Sequence, residues 1–434
     1  MEAVGVGRRA AREPEAGEVG RRATGKSAAT ADRSFWSGRR VLVTGHTGFK
    51  GGWLALWLQA MGAEVVGLSD RVPTEPSFFE AAGVGDAMRS SEVGDVRERA
   101  AVERIFAEAE PEVVFHLAAQ PLVRLSYREP VETYATNVMG TVHVLEAVRR
   151  TPSVRAVVIV TSDKCYANRE WEWGYREYEP MGGHDPYSNS KGCAELVTAA
   201  YRSSFFSGDP AVSAAVGSAR AGNVIGGGDW AEDRLGPDLV RGALAGDAVA
   251  VRNPGAIRPW QHVLNPLSGY LVLAQALWSS REHADGWNFG PEEADARPVG
   301  WLADRLCELW GPGMSWEDRA DPAAPHEAGY LKLDSSKARM ALGWRPGWGI
   351  EEGLEGAVEW YRAFQRGEDM RGVSIEQIEA FEMAATATGA GRRPEGAREL
   401  AVAAVGEPPR TEEVRERAVP AAGELPRPDE VRTP

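Results

Sequence analysis

The sequence is poor in cysteine, and its three cysteines, Cys165, Cys193 and Cys307, have no spacing typical of a metal site. So few cysteines favour a reducing compartment, and we expect a cytoplasmic protein that binds no metal. No apolar run approaches the roughly 20 residues of a membrane helix, and the N-terminus has no apolar stretch typical of a secretion signal. The chain also has no excess of basic residues. Its net charge of −14 argues against nucleic acid as a partner.

Aromatic residues are absent from both ends of the chain, residues 1–34 and 384–434. These segments consist largely of Ala, Gly, Pro, Arg and Glu, and cannot bury enough apolar surface to offset the entropy lost on ordering. We therefore predict a disordered tail at each end and an ordered chain over residues 35–383.

A glycine-rich turn lies between a predicted strand, Arg40–Thr44, and a predicted buried helix that includes residues 53–58. In this context Gly45, Gly48 and Gly51 form the pattern of a dinucleotide-binding turn: the first allows a tight turn, the second lets a diphosphate approach, and the third packs helix against strand. The diphosphate would lie on N–H groups at the helix start. The cofactor ligands predicted here are Gly45, Thr47, Gly48, Phe49, Lys50 and Gly51.

The second predicted strand, Glu64–Ser69, ends at a possible ribose ligand. A carboxylate at Asp70 would accept hydrogen bonds from the adenosine ribose and repel a 2′-phosphate, which favours NAD over NADP. Ser69 could instead be the residue in register, and Asp70 could simply be a turn residue. Both are retained as predicted cofactor ligands.

Alternating strands and helices continue through Arg220, and a late strand is expected near residues 287–290, which predicts a doubly wound parallel α/β sheet. Small residues after two of these strands leave room for the cofactor. The ligands predicted there are Asp95, Val96, Leu117, Ala118 and Ala119. His116 is more typical of a packed histidine at a strand end than of a catalyst.

Three polar residues, Ser162, Asp163 and Lys164, follow a β-branched run over residues 157–160. The run predicts a buried parallel strand, so these side chains would lie at its carboxyl end, where open α/β sheets bind ligands.

A predicted helix begins after the N-cap residue Asp185 and carries Tyr187 and Lys191 on one face, four residues apart. A lysine ammonium beside a phenol would lower the tyrosine pKa from about 10 and make a base for a hydroxyl proton.

These motifs together resemble the extended short-chain dehydrogenase/reductase family, and within it the nucleotide-sugar 4,6-dehydratases that act on CDP-glucose. The longer runs that carry the resemblance are residues 43–51, 120–124, 136–141, 160–166, 222–230 and 258–264. The resemblance implies an NAD-binding Rossmann domain over 35–222, a smaller, mainly nucleotide-sugar-binding mixed α/β domain over 223–383, and a homodimer through the helices near 131–149 and 192–206.

The resemblance also implies the reaction: oxidation of the hexose at C4, loss of water across C5 and C6, and hydride return to C6, with NAD as a bound catalyst. Tyr187 takes the C4 hydroxyl proton, Lys191 lowers its pKa and holds the nicotinamide ribose, and Ser162 hydrogen-bonds the C4 oxygen. Asp163 would be the acid for the C6 hydroxyl, which requires a protonated carboxyl group. Lys164 is either the C5 base or only a structural partner of Asp163. A 4-epimerase, which needs no such acid, and a non-catalytic dinucleotide-sensing protein remain alternatives.

The substrate ligands predicted from this resemblance and from side-chain chemistry are Gln120, Arg124, Asn223, Arg234, Arg252, Arg258 and Tyr330. Guanidinium groups match the oxygens of a diphosphate, although Arg252 could also be a plain surface arginine. Tyr330, with His326 and Glu327, precedes a predicted strand over residues 331–334, near where related enzymes close over the nucleotide.

Overall fold

The strands that hold the molecule together are short and rich in β-branched residues. A computed structural model describes residues 30–207, 214–319 and 329–391. The strands are β1 (Arg40–Thr44), β2 (Glu64–Ser69), β3 (Ser90–Val93), β4 (Val113–His116), β5 (Ala156–Val160), β6 (Ala215–Arg220), β7 (Val224–Ile225), β8 (Val249–Val251), β9 (Ile257–Pro259), β10 (Gln261–His262), β11 (Gly286–Asn288), β12 (Ala296–Pro298) and β13 (Trp316–Asp318).

Helices connect these strands. The α-helices are α1 (Arg33–Trp36), α2 (Phe49–Ala60), α3 (Phe78–Ala81), α4 (Arg99–Ala109), α5 (Val123–Arg128), α6 (Pro130–Tyr134), α7 (Gly140–Arg150), α8 (Pro186–Tyr201), α9 (Leu235–Ala245), α10 (Leu264–Ser279), α11 (Val299–Trp310), α12 (Ile350–Gln365) and α13 (Met370–Gly391). Within the described ranges, none of them is long and apolar enough to cross a membrane.

Seven strands form one parallel sheet in the order β11-β6-β5-β4-β1-β2-β3. The direction of winding reverses between β1 and β4, so the loops that follow these two strands diverge and leave a crevice at the carboxyl edge. Strand β5 is buried along its whole length, as its apolar run predicts for a central parallel strand. The predicted doubly wound sheet is confirmed.

A smaller mixed portion is built from three two-stranded pairs: β7 with β10, β8 with β13, and β9 with β12. The last pair is antiparallel and the other two are parallel. The chain returns to the large sheet at β11, which matches the late strand expected near 287–290. The boundary between the two domains, placed at residue 222, stays a prediction.

The helix after the glycine turn packs the two portions against each other. In α2 every residue from Gly51 to Leu58 is buried, as predicted for a helix apolar on all sides. The indole of Trp53 donates a hydrogen bond to the carbonyl of Gly227 (3.0 Å) and stacks on Phe78 (4.5 Å between ring centroids). The cofactor turn is thereby anchored to the segment that carries predicted substrate ligands.

Three sequence predictions are wrong. The N-terminal tail predicted over residues 1–34 ends too late, because α1 begins at Arg33 and is capped by Asp32. Residues 331–334 form no strand, because Leu333 makes only an isolated bridge with Tyr175. The C-terminal tail predicted from residue 384 begins too early, since α13 continues to Gly391. Ala385 is buried, as is Phe381, which packs edge-on against Trp57 (5.6 Å), so an alanine-rich segment without aromatics still continues the helix. The rest of both predicted tails, 1–29 and 392–434, lies outside the described residues.

Candidate active site

The glycine turn after β1 has the shape that a bound diphosphate requires. Gly45 has φ +76°, and a Cβ there would lie 2.7 Å from the backbone nitrogen of Ala118. A Cβ on Gly51 would lie 2.0 Å from the carbonyl oxygen of Gly45. Helix α2 starts after Gly48, which has no side chain to cap the first N–H groups, so these can bind an anion.

Replacing Gly51 by Ala is expected to lower the free energy of unfolding by about 1–3 kcal/mol, because the new methyl group forces helix and turn apart. NAD affinity is expected to fall with it, measured by calorimetric titration beside a thermal melt. The matched control is Gly236→Ala on α9, where the new Cβ meets no described atom within 4 Å apart from its chain neighbours and the backbone of its own helix. Wild-type NAD affinity in Gly51→Ala would contradict this interpretation of the turn.

At the end of β2 the structure distinguishes between the two predicted ribose ligands. The hydroxyl of Ser69 is buried, contacts His46 Nδ1 (3.0 Å) and accepts a hydrogen bond from the Thr47 backbone (3.3 Å). The carboxylate of Asp70 is half exposed and lies 4.0 Å from Arg71 Nε. Asp70 is therefore the better placed of the two for an approaching ribose.

Asp95 and Val96, which the sequence predicts as cofactor ligands, already use polar atoms in hydrogen bonds within the protein. Asp95 accepts hydrogen bonds from the backbone (2.8 Å) and the Nε (2.7 Å) of Arg97, and the carbonyl of Val96 contacts His143 Nδ1 (2.9 Å). These contacts order the loop after β3. A cofactor role for Asp95 and Val96 remains a prediction.

After β4 the backbone bends back onto β1. The backbone nitrogen atoms of Leu117 and Ala118 donate to the carbonyl (3.0 Å) and hydroxyl (3.2 Å) of Thr44. His116 contacts Thr44 Oγ1 through Nδ1 (2.7 Å) and Thr141 Oγ1 through Nε2 (3.3 Å). Burial, aided by the charge of Lys191, lowers the pKa of His116 to about 3. His116 is thus a neutral, packed histidine, as the sequence predicts.

The polar residues after β5 form a small hydrogen-bonded group. Ser162 caps the short 3₁₀ turn Asp163–Cys165 and donates its hydroxyl proton to Asp163 Oδ1 (2.9 Å). Lys164 Nζ donates to Asp163 Oδ1 (3.4 Å) and to Asn223 Oδ1 (3.1 Å). Asp163 is fully buried, and its Oδ2 has no hydrogen-bond partner among the residues described. One carboxylate oxygen is therefore held by the protein and the other is available.

Helix α8 brings Tyr187 to the same place. Its N-cap, Asp185, accepts a hydrogen bond from the backbone of Ser188 (2.9 Å), as the sequence predicts. The backbone nitrogen of Tyr187 donates to Ser126 Oγ (3.1 Å), a contact that no sequence motif signals. Burial raises the pKa of Tyr187 to about 12, although a hydrogen bond with the Ser162 side chain opposes the rise.

Lys191 is held against the backbone at the end of β5. Its Nζ donates to the carbonyl of Val160 (3.4 Å), and burial lowers its pKa to about 8, opposed by Glu195 and Cys165. Burial of the phenol dominates the pKa of Tyr187 in this structure, and a role of Lys191 in lowering that pKa stays a prediction. The predicted proximity of Ser162 and Tyr187 is observed.

Lys50 extends the active site beyond the predicted catalytic group. Burial, followed by the positive charge of Arg234, lowers the pKa of Lys50 to about 7, and it also interacts with Asp163, Lys164 and Lys191. The sequence placed Lys50 only with the diphosphate turn. Lys50 thus interacts with three further basic side chains and one carboxylate, which gives an acidic protein a local positive site for an anionic substrate.

Three of the predicted substrate arginines meet at one loop. Arg234 donates to Asp229 Oδ2 (2.9 Å). Arg124 and Arg252 both contact Asp233 Oδ1, at 3.5 and 3.4 Å. Arg252 is thus part of a cluster rather than an isolated surface arginine, and the cluster offers several N–H donors to a diphosphate.

Arg258 and Tyr330 are also neighbours. Arg258 is buried on β9 and donates to the carbonyl of Ile257 (3.0 Å), and Ile257 forms a bridge with Tyr330. His326 and Glu327, which the sequence grouped with Tyr330, lie outside the described residues.

Gln120 has a structural position. Its amide nitrogen donates to Thr133 Oγ1 (2.9 Å) and to the carbonyl of Leu122 (3.1 Å), and its amide oxygen accepts from the Leu122 backbone (2.6 Å). The side chain is engaged in shaping the loop after β4. This geometry does not favour a role for Gln120 in substrate binding, and that role stays a prediction.

Comparison with known proteins agrees with this geometry. The model of the NAD dependent epimerase/dehydratase family matches residues 41–285. The chain belongs to that family. A curated relative in Salmonella typhimurium, CDP-glucose 4,6-dehydratase, is 56% identical over 358 residues, which cover 82% of this chain and 99% of the relative.

More distant members share the fold. The dTDP-glucose 4,6-dehydratase of Xanthomonas campestris pv. campestris is 27% identical over 338 residues, 74% of this chain and 92% of the relative. The structure of UDP-glucose 4-epimerase from Thermus thermophilus in complex with NAD is 27% identical, has a TM-score of 0.64, and aligns over 74% of this chain and 99% of that one.

The residues of this family member fit NAD. At Gly45 and Gly51 a Cβ would collide with the backbone, so the turn keeps the close approach that a diphosphate requires. An exposed carboxylate at Asp70 lies at the end of the next strand. The predicted fold class and the predicted cofactor, NAD, are confirmed.

Proposed function

We propose that this enzyme is a hydro-lyase that converts CDP-D-glucose to CDP-4-dehydro-6-deoxy-D-glucose. The observation that carries the proposal is Asp163, a fully buried carboxyl group beside Ser162 and Lys164 with one oxygen unpartnered among the described residues. A 4-epimerase needs no acid at this position, whereas loss of water does. The 56% identical CDP-glucose 4,6-dehydratase supports the choice of substrate.

Bound NAD would supply the redox chemistry, accepting hydride from C4 and returning it to C6. The residues that would hold it are the glycines of the turn, Asp70 and Lys191. The protein's own groups move the protons. Tyr187 would take the proton of the C4 hydroxyl as its phenolate, an ionised form that the ammonium of Lys191 would favour. Ser162, in hydrogen-bond contact with Tyr187, would hold the C4 oxygen.

The pair of Asp163 and Lys164 can supply both groups that elimination requires. Transfer of one proton from Lys164 Nζ to Asp163 across their 3.4 Å contact yields a neutral carboxylic acid and a neutral amine. Asp163 would then protonate the departing C6 hydroxyl, and Lys164 would remove the C5 proton.

Asn223 would orient Lys164, the amine of this pair. Its Oδ1 accepts from Lys164 Nζ (3.1 Å), so it directs the amine as well as lying near the predicted substrate. Arg124, Arg234, Arg252 and Arg258 would bind the diphosphate, with Tyr330 beside Arg258.

The test is to incubate the purified enzyme, without added reductant, with CDP-, UDP-, GDP- and dTDP-glucose and to analyse the products by mass spectrometry. We expect CDP-glucose to lose one water and the other three to react far more slowly. Heat-denatured enzyme is the control. Change of configuration at C4 without loss of water would make the protein a 4-epimerase, and bound NAD without turnover of any sugar would favour a dinucleotide-sensing protein.

A homodimer is proposed through the helices that the sequence singled out. Apolar side chains are exposed on both: Val131 (76%) and Met139 (47%) on the first, Leu196 (59%) and Phe205 (41%) on the second. Such a patch is typical of an interface with another protein. Light scattering is expected to give twice the chain mass, and Leu196→Glu is expected to halve it. A monomeric wild type would exclude this interface.

We also propose that the enzyme works in the cytoplasm, since Cys165, Cys193 and Cys307 are all free thiols. Retained activity under strongly reducing conditions, and a signal in the cytoplasmic fraction after cell lysis, are the expected results. Recovery from an oxidising compartment would contradict this.

A further inference from the structure

Glu195 is a buried carboxylate, 4% exposed, that the mechanism above does not use. It lies on α8 one helical turn beyond Lys191. A carboxylate at this depth is costly unless it is paired and hydrogen-bonded, so its partners indicate its role.

The partners of Glu195 come from the ends of two central strands. Oε1 accepts a hydrogen bond from Thr161 Oγ1 (2.5 Å) at the end of β5. Oε2 accepts from Ser218 Oγ (2.7 Å) and from Arg220 Nη2 (2.7 Å) on β6. Burial acts to raise the pKa of Glu195, but Arg220 and the two hydroxyls hold it below its ordinary value, so the group is ionised.

This anchor is continuous with the catalytic residues. Thr161 lies between Val160, whose carbonyl accepts from Lys191, and Ser162, which contacts Tyr187. Helix α8 and strand β5 are therefore joined twice within one turn, once through Lys191 and once through Glu195. A shift at Glu195 would displace Ser162 relative to Tyr187.

The charge of Glu195 also bears on Lys191. The titratable groups that interact with Lys191 are Glu195 on α8, Cys165 in the turn after β5, His116 on β4 and Lys50 on α2, while Tyr187 lies one turn before it on α8. Burial keeps Cys165 a thiol and His116 neutral, since it raises the pKa of the first and lowers that of the second to about 3. Of these groups, Glu195 supplies the negative charge at neutral pH.

We propose that Glu195 is a positioning residue for the reaction: it fixes α8 to the ends of β5 and β6 and supplies the buried negative charge that keeps the Lys191 ammonium protonated. The proposal deepens the proposed function and rests on it. It assigns to Glu195 an effect on the chemical step through Lys191, without contact with substrate.

Glu195→Gln keeps the length of the side chain and removes its charge. We expect kcat to fall about tenfold or more while KM for CDP-glucose changes less than about twofold, because the reacting groups are misaligned and the substrate site is untouched. The alkaline limb of the pH profile is expected to move about one unit lower, since Lys191 loses its proton more readily without a neighbouring anion.

A second variant controls for misfolding of the first, because Glu195→Gln removes the charge that pairs with the buried guanidinium of Arg220. In Glu195→Gln/Arg220→Met both charges are removed, and the same alkaline shift is expected in a folded protein. Glu103→Gln, which breaks an exposed ion pair with Arg99 on α4, is the control and should leave the profile unchanged.

Binding of NAD as a function of pH, followed by tryptophan fluorescence, gives a readout independent of turnover. In both Glu195 variants the alkaline loss of NAD affinity is expected about one pH unit below that of the wild type. An unmoved alkaline limb in activity and in NAD binding would overturn the inference, even if kcat and stability fall. If the wild type converts no nucleotide sugar, the proposed function fails, and the binding profile still decides the role of Glu195.

Discussion

Tyr187→Phe is expected to lower kcat with CDP-glucose by roughly 10²–10⁴-fold, the usual contribution of a positioned proton-transfer group. The phenylalanine ring fills the same buried space, and the backbone contact of residue 187 with Ser126 is retained, so stability and NAD affinity should stay near wild type. The variant loses only the phenol oxygen, which contacts Ser162 and which we propose as the acceptor of the C4 proton.

The measurement is steady-state product formation by mass spectrometry, with NAD binding determined on the same preparation. Tyr201→Phe, at the other end of the same helix, is the matched control and should keep wild-type activity. If Tyr187→Phe retained more than about a tenth of kcat, another group would have to accept the proton.

Asp163→Asn is expected to separate oxidation from loss of water. The amide oxygen can still accept hydrogen bonds from Ser162 and Lys164, but the side chain cannot donate an acid proton to the C6 hydroxyl. Loss of water should slow by roughly 10²–10⁴-fold. In the proposed mechanism oxidation at C4 needs Tyr187 and not Asp163, so a 4-keto hexose that retains its C6 hydroxyl should accumulate.

The keto sugar can be trapped by reduction with borodeuteride and identified by mass. Asp247→Asn, an exposed carboxylate after α9, is the control. Unchanged loss of water in Asp163→Asn would remove Asp163 as the acid. Loss of water and of oxidation together would show instead that Asp163 supports the whole site through Ser162.

Much of the fold follows from local patterns. The strands predicted over Arg40–Thr44 and Glu64–Ser69 appear as β1 and β2 with the same bounds. Each depends on residues a few positions apart, which a single sequence displays. The predictions that were wrong depend instead on contacts between residues far apart in the chain. Within the described chain, residues 331–334 have no strand partner beyond Tyr175. Helix α13 packs on Trp57 through Phe381 and continues past residue 383, where Ala385 is still buried.

The residues of the candidate site can likewise be separated into those that local patterns predict and those that only the folded structure reveals. Gly45, Ser162, Tyr187 and Lys191 could be found because turn geometry and helix spacing constrain which residues stand there. The sequence alone therefore determined the family and the cofactor, and it predicts the principal catalytic group.

Tertiary structure alone decided the electrostatics. Burial, which depends on the whole fold, raises the pKa of Tyr187 to about 12, and spacing on a helix had suggested the reverse. The meeting of Lys50 with Asp163, and of Glu195 with Thr161 and Arg220, joins segments far apart in the chain. Charges interact according to distance and desolvation in the folded molecule, and neither quantity is present in the order of the residues.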